Sequence, residues 1–232
     1  KAIRRAFSRF RISKSSLGEI TSYSVLTCMQ QSVMNLGILM VQGLVNSFGT
    51  TVMAAFAAAV KVDAFAYMPA QEYGNAFSTF IAQNMGAGKR ERIRKGVRCG
   101  VLTTVTYCLL VSLILWFLAK PLMLIFVDAG ETAILAEGVR YLHTVGPFYW
   151  GIGCLFLFYG LYRALGKPMM SVVLTVVSLG TRVALAYMLS AIPAIGVAGI
   201  WWSVPIGWIL ADLVGLFYFI LKKDTLLRNC ES

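Results

Sequence analysis

The hydrophobic positions of this 232-residue chain fall into six long apolar stretches separated by short connections. Each stretch reaches the roughly 20 residues that an α-helix needs to cross the hydrocarbon core of a bilayer. The pattern therefore predicts an all-α membrane protein with six transmembrane helices. The predicted spans are residues 20–45, 52–82, 99–127, 139–162, 170–191 and 197–221.

The basic residues indicate how these spans are oriented. All Lys and Arg residues except Lys61, Lys120, Arg140 and Arg182 lie near the termini or in the connections after the second and fourth spans. Loops rich in Lys and Arg are retained on the cytoplasmic side. We therefore expect a multi-pass protein of the cell (inner) membrane with both termini cytoplasmic and the 127–138 connection external.

Composition and charge support the same class of protein. A hydrophobic fraction of 58% with only 13% charged residues would leave a soluble domain with more apolar surface than its core could bury. The net charge of +11 lies mainly beside the spans, where orientation and anionic lipids explain it, so no nucleic-acid partner is indicated.

The predicted domains follow from the same pattern. They are a cytoplasmic connector at 1–16, a six-helix lobe at 17–223 and a cytoplasmic tail at 224–232. Because a basic segment runs from Lys1 directly into the first span, we expect the chain to be part of a longer protein.

A polar stripe runs along the first span. Its members fall within about 100° of arc on a helical projection, and they are Ser24, Thr27, Gln31, Asn35, Gln42 and Asn46. Amides facing lipid are costly, so the stripe faces protein or water. Two interpretations are open: a hydrogen-bonded helix seam, or the wall of a cavity in which Gln31, Met34 and Asn35 line a substrate or ion pathway.

The second span carries ionisable residues at membrane depth. Such residues are candidates for function. Asp63 and Tyr67 share one helical face, whereas Lys61 points about 160° away from Asp63 at 100° per residue. Lys61 and Asp63 therefore cannot neutralise each other. We interpret Lys61, Asp63 and Tyr67 as pathway residues, with structural pairing to neighbouring helices as the alternative.

Arg182 in the fifth span and Asp212 in the sixth have a different interpretation. They lie about 18 Å and 13 Å deep on adjacent antiparallel helices, at 1.5 Å per residue. A lone buried charge is costly, so we predict that these two residues form a structural ion pair.

Motifs of enzymes and metal sites are incomplete in this sequence. Residues 86–89 (GAGK) resemble the end of a phosphate-binding loop, but Gln83 replaces its first glycine and Arg90 follows the lysine. The single His143 has no HExxH context. We therefore predict no catalytic residue, no metal site, no cofactor and no enzymatic activity.

Several segments, in order, resemble the second six-helix lobe of multidrug and toxic compound extrusion (MATE) transporters. Residues 83–89 (QNMGAGK) resemble the loop that closes the second span in that family. Tyr141, residues 160–168 (GLYRALGKP), Arg182 and residues 196–201 (GVAGIW) match the family in order and spacing. The resemblance covers essentially the whole chain.

This resemblance implies two six-helix lobes around a central cavity that opens alternately to either face. It implies export of small cationic or amphipathic compounds, coupled to a proton or sodium gradient. The expected partners are the first lobe of the same protein, the lipid bilayer and small-molecule substrates. Two alternatives stay open: a related lipid-linked oligosaccharide flippase, and an oligomeric six-helix membrane scaffold or channel.

Overall fold

A computed structural model describes residues 14–228, with side chains for 17, 18 and 20–222. Six helical segments in this part are long and apolar enough to cross a membrane, which confirms the predicted fold class. The fourth segment consists of two helices joined by a short 3₁₀ turn. The helices are α1 (Lys14–Asn46), α2 (Thr50–Gly86), α3 (Arg90–Met123), α4 (Thr132–Val145), α5 (Tyr149–Ala164), α6 (Pro168–Ser190) and α7 (Val197–Arg228).

The break in the fourth span lies at the 3₁₀ turn Gly146–Phe148. Pro147 has no backbone N–H, so the regular α-helical hydrogen-bond pattern cannot continue through this point. Ser112 Oγ of α3 donates a 2.7 Å hydrogen bond to the carbonyl of Gly146, which also accepts the backbone N–H of Tyr149, so the turn is held against α3. Buried backbone groups inside a bilayer need such partners. The break leaves α4 and α5 as separate helices that approach α2 at different heights.

The α4–α5 span forms the centre of the lobe. In its most apolar segment 61% of the residues are buried, against 11–39% in the other five spans. Helix α5 packs against α2, α3, α6 and α7. Its contact with α2 is very close, because a Cβ added at Gly160 would lie 2.5 Å from the carbonyl oxygen of Gly74. Two glycines therefore bring the backbones of α2 and α5 together.

The ends of the helices only partly follow the predicted domain boundaries. Helix α1 begins at Lys14 and α7 continues to Arg228, so both cross the boundaries expected at 16/17 and 223/224. Residues 1–13 and 229–232, which hold most of the predicted connector and part of the tail, lie outside the described residues. The domain assignment stays a prediction.

Candidate functional site

The centre of the candidate site is the carboxylate of Asp63 on α2. Its side chain is buried inside the lobe, with 7% of its surface exposed. The hydroxyl of Tyr141 on α4 donates a 2.5 Å hydrogen bond to Oδ2, and the hydroxyl of Tyr149 on α5 donates a hydrogen bond to Oδ1. The two tyrosines lie on either side of the 3₁₀ turn. The break in the fourth span thus places one donor on each carboxylate oxygen.

An aromatic cluster fixes Tyr141. Its ring meets Phe56 of α2 edge-on at 5.7 Å and Trp201 of α7 edge-on at 4.9 Å, while Phe56 and Trp201 stack at 5.5 Å between ring centroids. Trp201 Nε1 donates a 2.8 Å hydrogen bond to Glu137 on α4. Rigid aromatic packing of this kind holds the Tyr141 hydroxyl at a fixed position.

Asp63 borders a small cavity in the interior of the lobe, which we call the Asp63 cavity. It has a volume of about 110 Å³. Arg182 on α6 lines it together with Asp63, so one acidic and one basic residue border the same space. Its other polar lining residues are Tyr67, Tyr141, Tyr149, Tyr159 and Ser178, and its apolar residues include Met34, Phe156 and Trp208.

A second cavity, which we call the Arg163 cavity, lies further along α2. Its volume is about 200 Å³, and Gln31, Gln71, Asn75 and Arg163 contribute polar groups to its wall. Arg163 Nη2 donates a 2.9 Å hydrogen bond to Asn75 Oδ1, and Asn75 Nδ2 donates one of 3.3 Å to Glu72.

The two cavities share part of their lining. Met34, Phe156 and Tyr159 border both of them. Asp63 and Gln71 are eight residues apart on α2, about 12 Å along the helix axis. The cavities therefore follow each other along the face of α2 that holds Asp63.

The structure places the six predicted pathway residues at different sites. Met34, Asp63 and Tyr67 line the Asp63 cavity, and Gln31 lines the Arg163 cavity. Asn35 lies on the exposed face of α1 and borders neither cavity. Its Oδ1 accepts a 3.5 Å hydrogen bond from Gln31 Nε2.

Lys61 lies on the opposite face of α2 from Asp63. Its side chain is exposed, and its ammonium group sits 5.5 Å from the centre of the Phe126 ring. This placement agrees with the expectation that Lys61 and Asp63 do not neutralise each other. It also removes Lys61 from the set of residues that border the two described cavities.

The predicted ion pair between Arg182 and Asp212 is wrong. Both carboxylate oxygens of Asp212 and the Nε of Arg182 are buried without a hydrogen-bond partner among the described residues. Gly207 of α7 packs on Arg182, because a Cβ added there would lie 3.2 Å from Arg182 Cβ. Asp212 is five residues further along α7, which rotates it by about 140° and turns it away from Arg182. It lies beside Gly151 of α5 instead.

The sequence interpretation missed the two tyrosines that bind Asp63. The available signal was weak: two tyrosines lie eight residues apart in an apolar span, with Pro147 between them. A polar hydroxyl in such a span needs a partner, but helical periodicity alone does not identify it. The resulting site has a buried carboxylate that accepts two tyrosine hydrogen bonds and borders a cavity.

Comparison with known proteins shows a consistent similarity. The family model described as MatE matches residues 25–188. Two curated relatives come from Bacillus subtilis. The probable multidrug resistance protein YoeA is 23% identical over 98% of this chain and 49% of the YoeA chain. The probable multidrug resistance protein YpnP is 27% identical over 65% of this chain and 33% of the YpnP chain. The matched residues thus cover one third to one half of the length of these relatives, and the chain spans about half the length of YoeA.

Solved structures show the same fold. The Vibrio cholerae MATE transporter VcmN in its bent form superposes with a TM-score of 0.83 at 21% identity, over 94% of this chain and 49% of that one. A MOP superfamily transporter from Pyrococcus furiosus superposes with a TM-score of 0.86 at 18% identity, also over 94% and 49%. At this level of identity the likeness concerns the fold.

Proposed function

The chain belongs to the MATE family, and from this premise we propose that it forms one six-helix lobe of an ion-coupled efflux transporter. In this proposal the transporter exports small cationic or amphipathic compounds by alternating access. The observation that carries the proposal is the buried carboxylate of Asp63, which has a tyrosine hydroxyl on each oxygen and borders a cavity shared with Arg182. Ionisable groups at this depth are costly and typically belong to ion pathways.

Asp63 is the proposed site of ion coupling. A proton or sodium ion that binds there neutralises the carboxylate and leaves Arg182 as the net charge of the cavity. A cationic substrate is then disfavoured in the same space, whereas it is favoured when the carboxylate is free. Such competition links export of the substrate to entry of the ion, since each ligand changes the affinity for the other by the same factor.

The exposed polar face of α1 is the reason to expect a second lobe. Ser24, Gln31 and Asn35 are exposed in this lobe, although they lie within a membrane span. Polar amides facing hydrocarbon are costly, so another protein surface or water must cover them. We propose that the first lobe of the same transporter faces them across the central cavity, as alternating access between two bodies requires.

The test is a pair of carboxylate substitutions in the complete transporter. In proteoliposomes with an imposed proton or sodium gradient, Asp63→Asn should abolish gradient-driven efflux of a cationic dye. Asp128→Asn serves as the matched control, because Asp128 is an exposed carboxylate outside both cavities. Dependence of wild-type efflux on pH or on sodium identifies the ion. Undiminished, gradient-dependent efflux by a well-folded Asp63→Asn protein would contradict the proposal.

A second candidate function is supported by the two arginines. Arg182 and Arg163 each line one of the two cavities, and a lipid-linked oligosaccharide flippase would use such cations to bind a pyrophosphate group. The same proteoliposomes distinguish the two functions. Translocation of a fluorescent polyprenyl pyrophosphate that is lost in Arg182→Gln, without any dye efflux, would favour the flippase.

A further inference from the structure

A lateral groove opens on the outside of the lobe, away from the Asp63 cavity. Helices α2 and α3 and the turn after α3 form its walls, and its volume is about 560 Å³. The lining is almost entirely apolar and includes Phe65, Ile114, Ile125 and Phe126. The one hydroxyl in the wall, that of Tyr107, already donates a 3.0 Å hydrogen bond to the carbonyl of Ala66. The groove therefore offers apolar contact and no free hydrogen-bond donor of its own.

The ammonium group of Lys61 lies at one end of this groove. Lys61 precedes the lining residue Val62, and its ammonium lies 5.5 Å from the ring centre of Phe126. The ion pairs found among the described side chains involve other residues, so Lys61 has no carboxylate partner there. A lysine that is exposed in a membrane span without an anionic partner is a costly arrangement.

The geometry brings the ammonium toward the membrane surface. Lys61 lies 11 residues after the start of α2 at Thr50, which is about 16 Å along the helix. Phe126 belongs to the turn that follows the end of α3 at Met123, at the same end of the lobe. The ammonium therefore lies level with the end of α3, next to the predicted external connection, where a long lysine side chain can reach a lipid headgroup.

We propose that this groove binds a phospholipid with a net negative headgroup. Lys61 binds the headgroup phosphate, and an acyl chain fills the groove between α2 and α3. The volume lies within the roughly 300–1,000 Å³ typical of small-molecule sites. Charge complementarity favours an anionic lipid over a zwitterionic one, because the single cation at the groove has no carboxylate to balance it. The site is independent of the ion-coupling role proposed for Asp63.

Native mass spectrometry of the complete transporter tests the charge part of the proposal. The protein is purified with equal amounts of phosphatidylglycerol and phosphatidylcholine, and the retained lipid is counted. Lys61→Gln should lower retention of phosphatidylglycerol about five-fold, the scale of attraction between one lysine and an anionic membrane surface. Lys120→Gln is the matched control, because Lys120 is an exposed lysine at the same end of the lobe that borders a different depression.

A tryptophan in the groove tests where the acyl chain lies. Ile114→Trp should lower retention of both lipids by filling the space. Leu113→Trp, at a similarly exposed position of α3 outside the groove, should change neither. Equal losses in Lys61→Gln and Lys120→Gln would show diffuse attraction and overturn the site. Unchanged retention in Ile114→Trp would also overturn it, because it would mean that protein covers the groove or that the lipid binds elsewhere.

Discussion

The hydrogen bond from Tyr141 to Asp63 gives a measurable prediction about the charge of that carboxylate. Tyr141→Phe removes one hydroxyl from a fully packed position and leaves Oδ2 of Asp63 without its donor. Tyr162→Phe provides a matched control. Tyr162 is equally buried, and its hydroxyl donates a 2.6 Å hydrogen bond to the backbone carbonyl of Gly215, which is a neutral acceptor.

Because the two acceptors differ in charge, the two substitutions should lower the free energy of unfolding by different amounts. A hydrogen bond to a neutral group contributes about 0.5–1.5 kcal/mol to stability, and one to a charged group about 1.5–3 kcal/mol. If Asp63 is ionised, Tyr141→Phe should lower the free energy of unfolding by about 1 kcal/mol more than Tyr162→Phe does. In an Asp63→Asn background this excess should disappear, since the two sites are directly coupled.

Chemical unfolding in detergent micelles, followed by tryptophan fluorescence, measures these differences. The buried Trp201 meets the Tyr141 ring edge-on, so its emission reports on this region. As the pH is lowered and Asp63 takes up a proton, the acceptor becomes neutral. The excess cost of Tyr141→Phe should then shrink, while the cost of Tyr162→Phe stays constant.

Two results would refute this reasoning. Equal costs for Tyr141→Phe and Tyr162→Phe at every pH would mean that Asp63 carries no charge in the folded protein. An excess that persists in the Asp63→Asn background would mean that the Tyr141 hydroxyl stabilises the protein independently of the charge on residue 63.

Three further predictions concern packing, orientation and the need for a second lobe. Gly160→Ala should destabilise the protein by about 1–3 kcal/mol in thermal unfolding, because the added Cβ would meet the Gly74 carbonyl. Gly43→Ala should not, because a Cβ there meets no neighbour. Equal effects of the two substitutions would contradict the close contact between α2 and α5. Single-cysteine labelling should find residues 89–98 cytoplasmic and 128–137 external, and the opposite result would invert the proposed orientation. The isolated chain in proteoliposomes should show no gradient-driven dye efflux, and robust efflux would refute the half-transporter proposal unless the chain dimerises.

The sequence by itself determined the class of fold and the number of membrane spans. A bilayer leaves no water for backbone groups, so a long apolar stretch has to become a helix, and hydropathy alone identifies it. Helical periodicity also separated Asp63 from Lys61, because the angle between two residues on one helix is fixed by their spacing. The ordered segments that resemble MATE transporters led to the family that the comparison then showed.

Only the tertiary structure decided which residues meet across helices. Contact between two helices depends on how each is rotated about its axis and where close-packing glycines let the backbones approach, and neither follows from depth in the membrane. Arg182 and Asp212 lie at similar depth, yet α7 presents Gly207 to Arg182 and turns Asp212 toward Gly151. The tyrosines that bind Asp63 reach it from both sides of the break at Pro147, because that break separates α4 from α5 and sets the approach of each helix to α2.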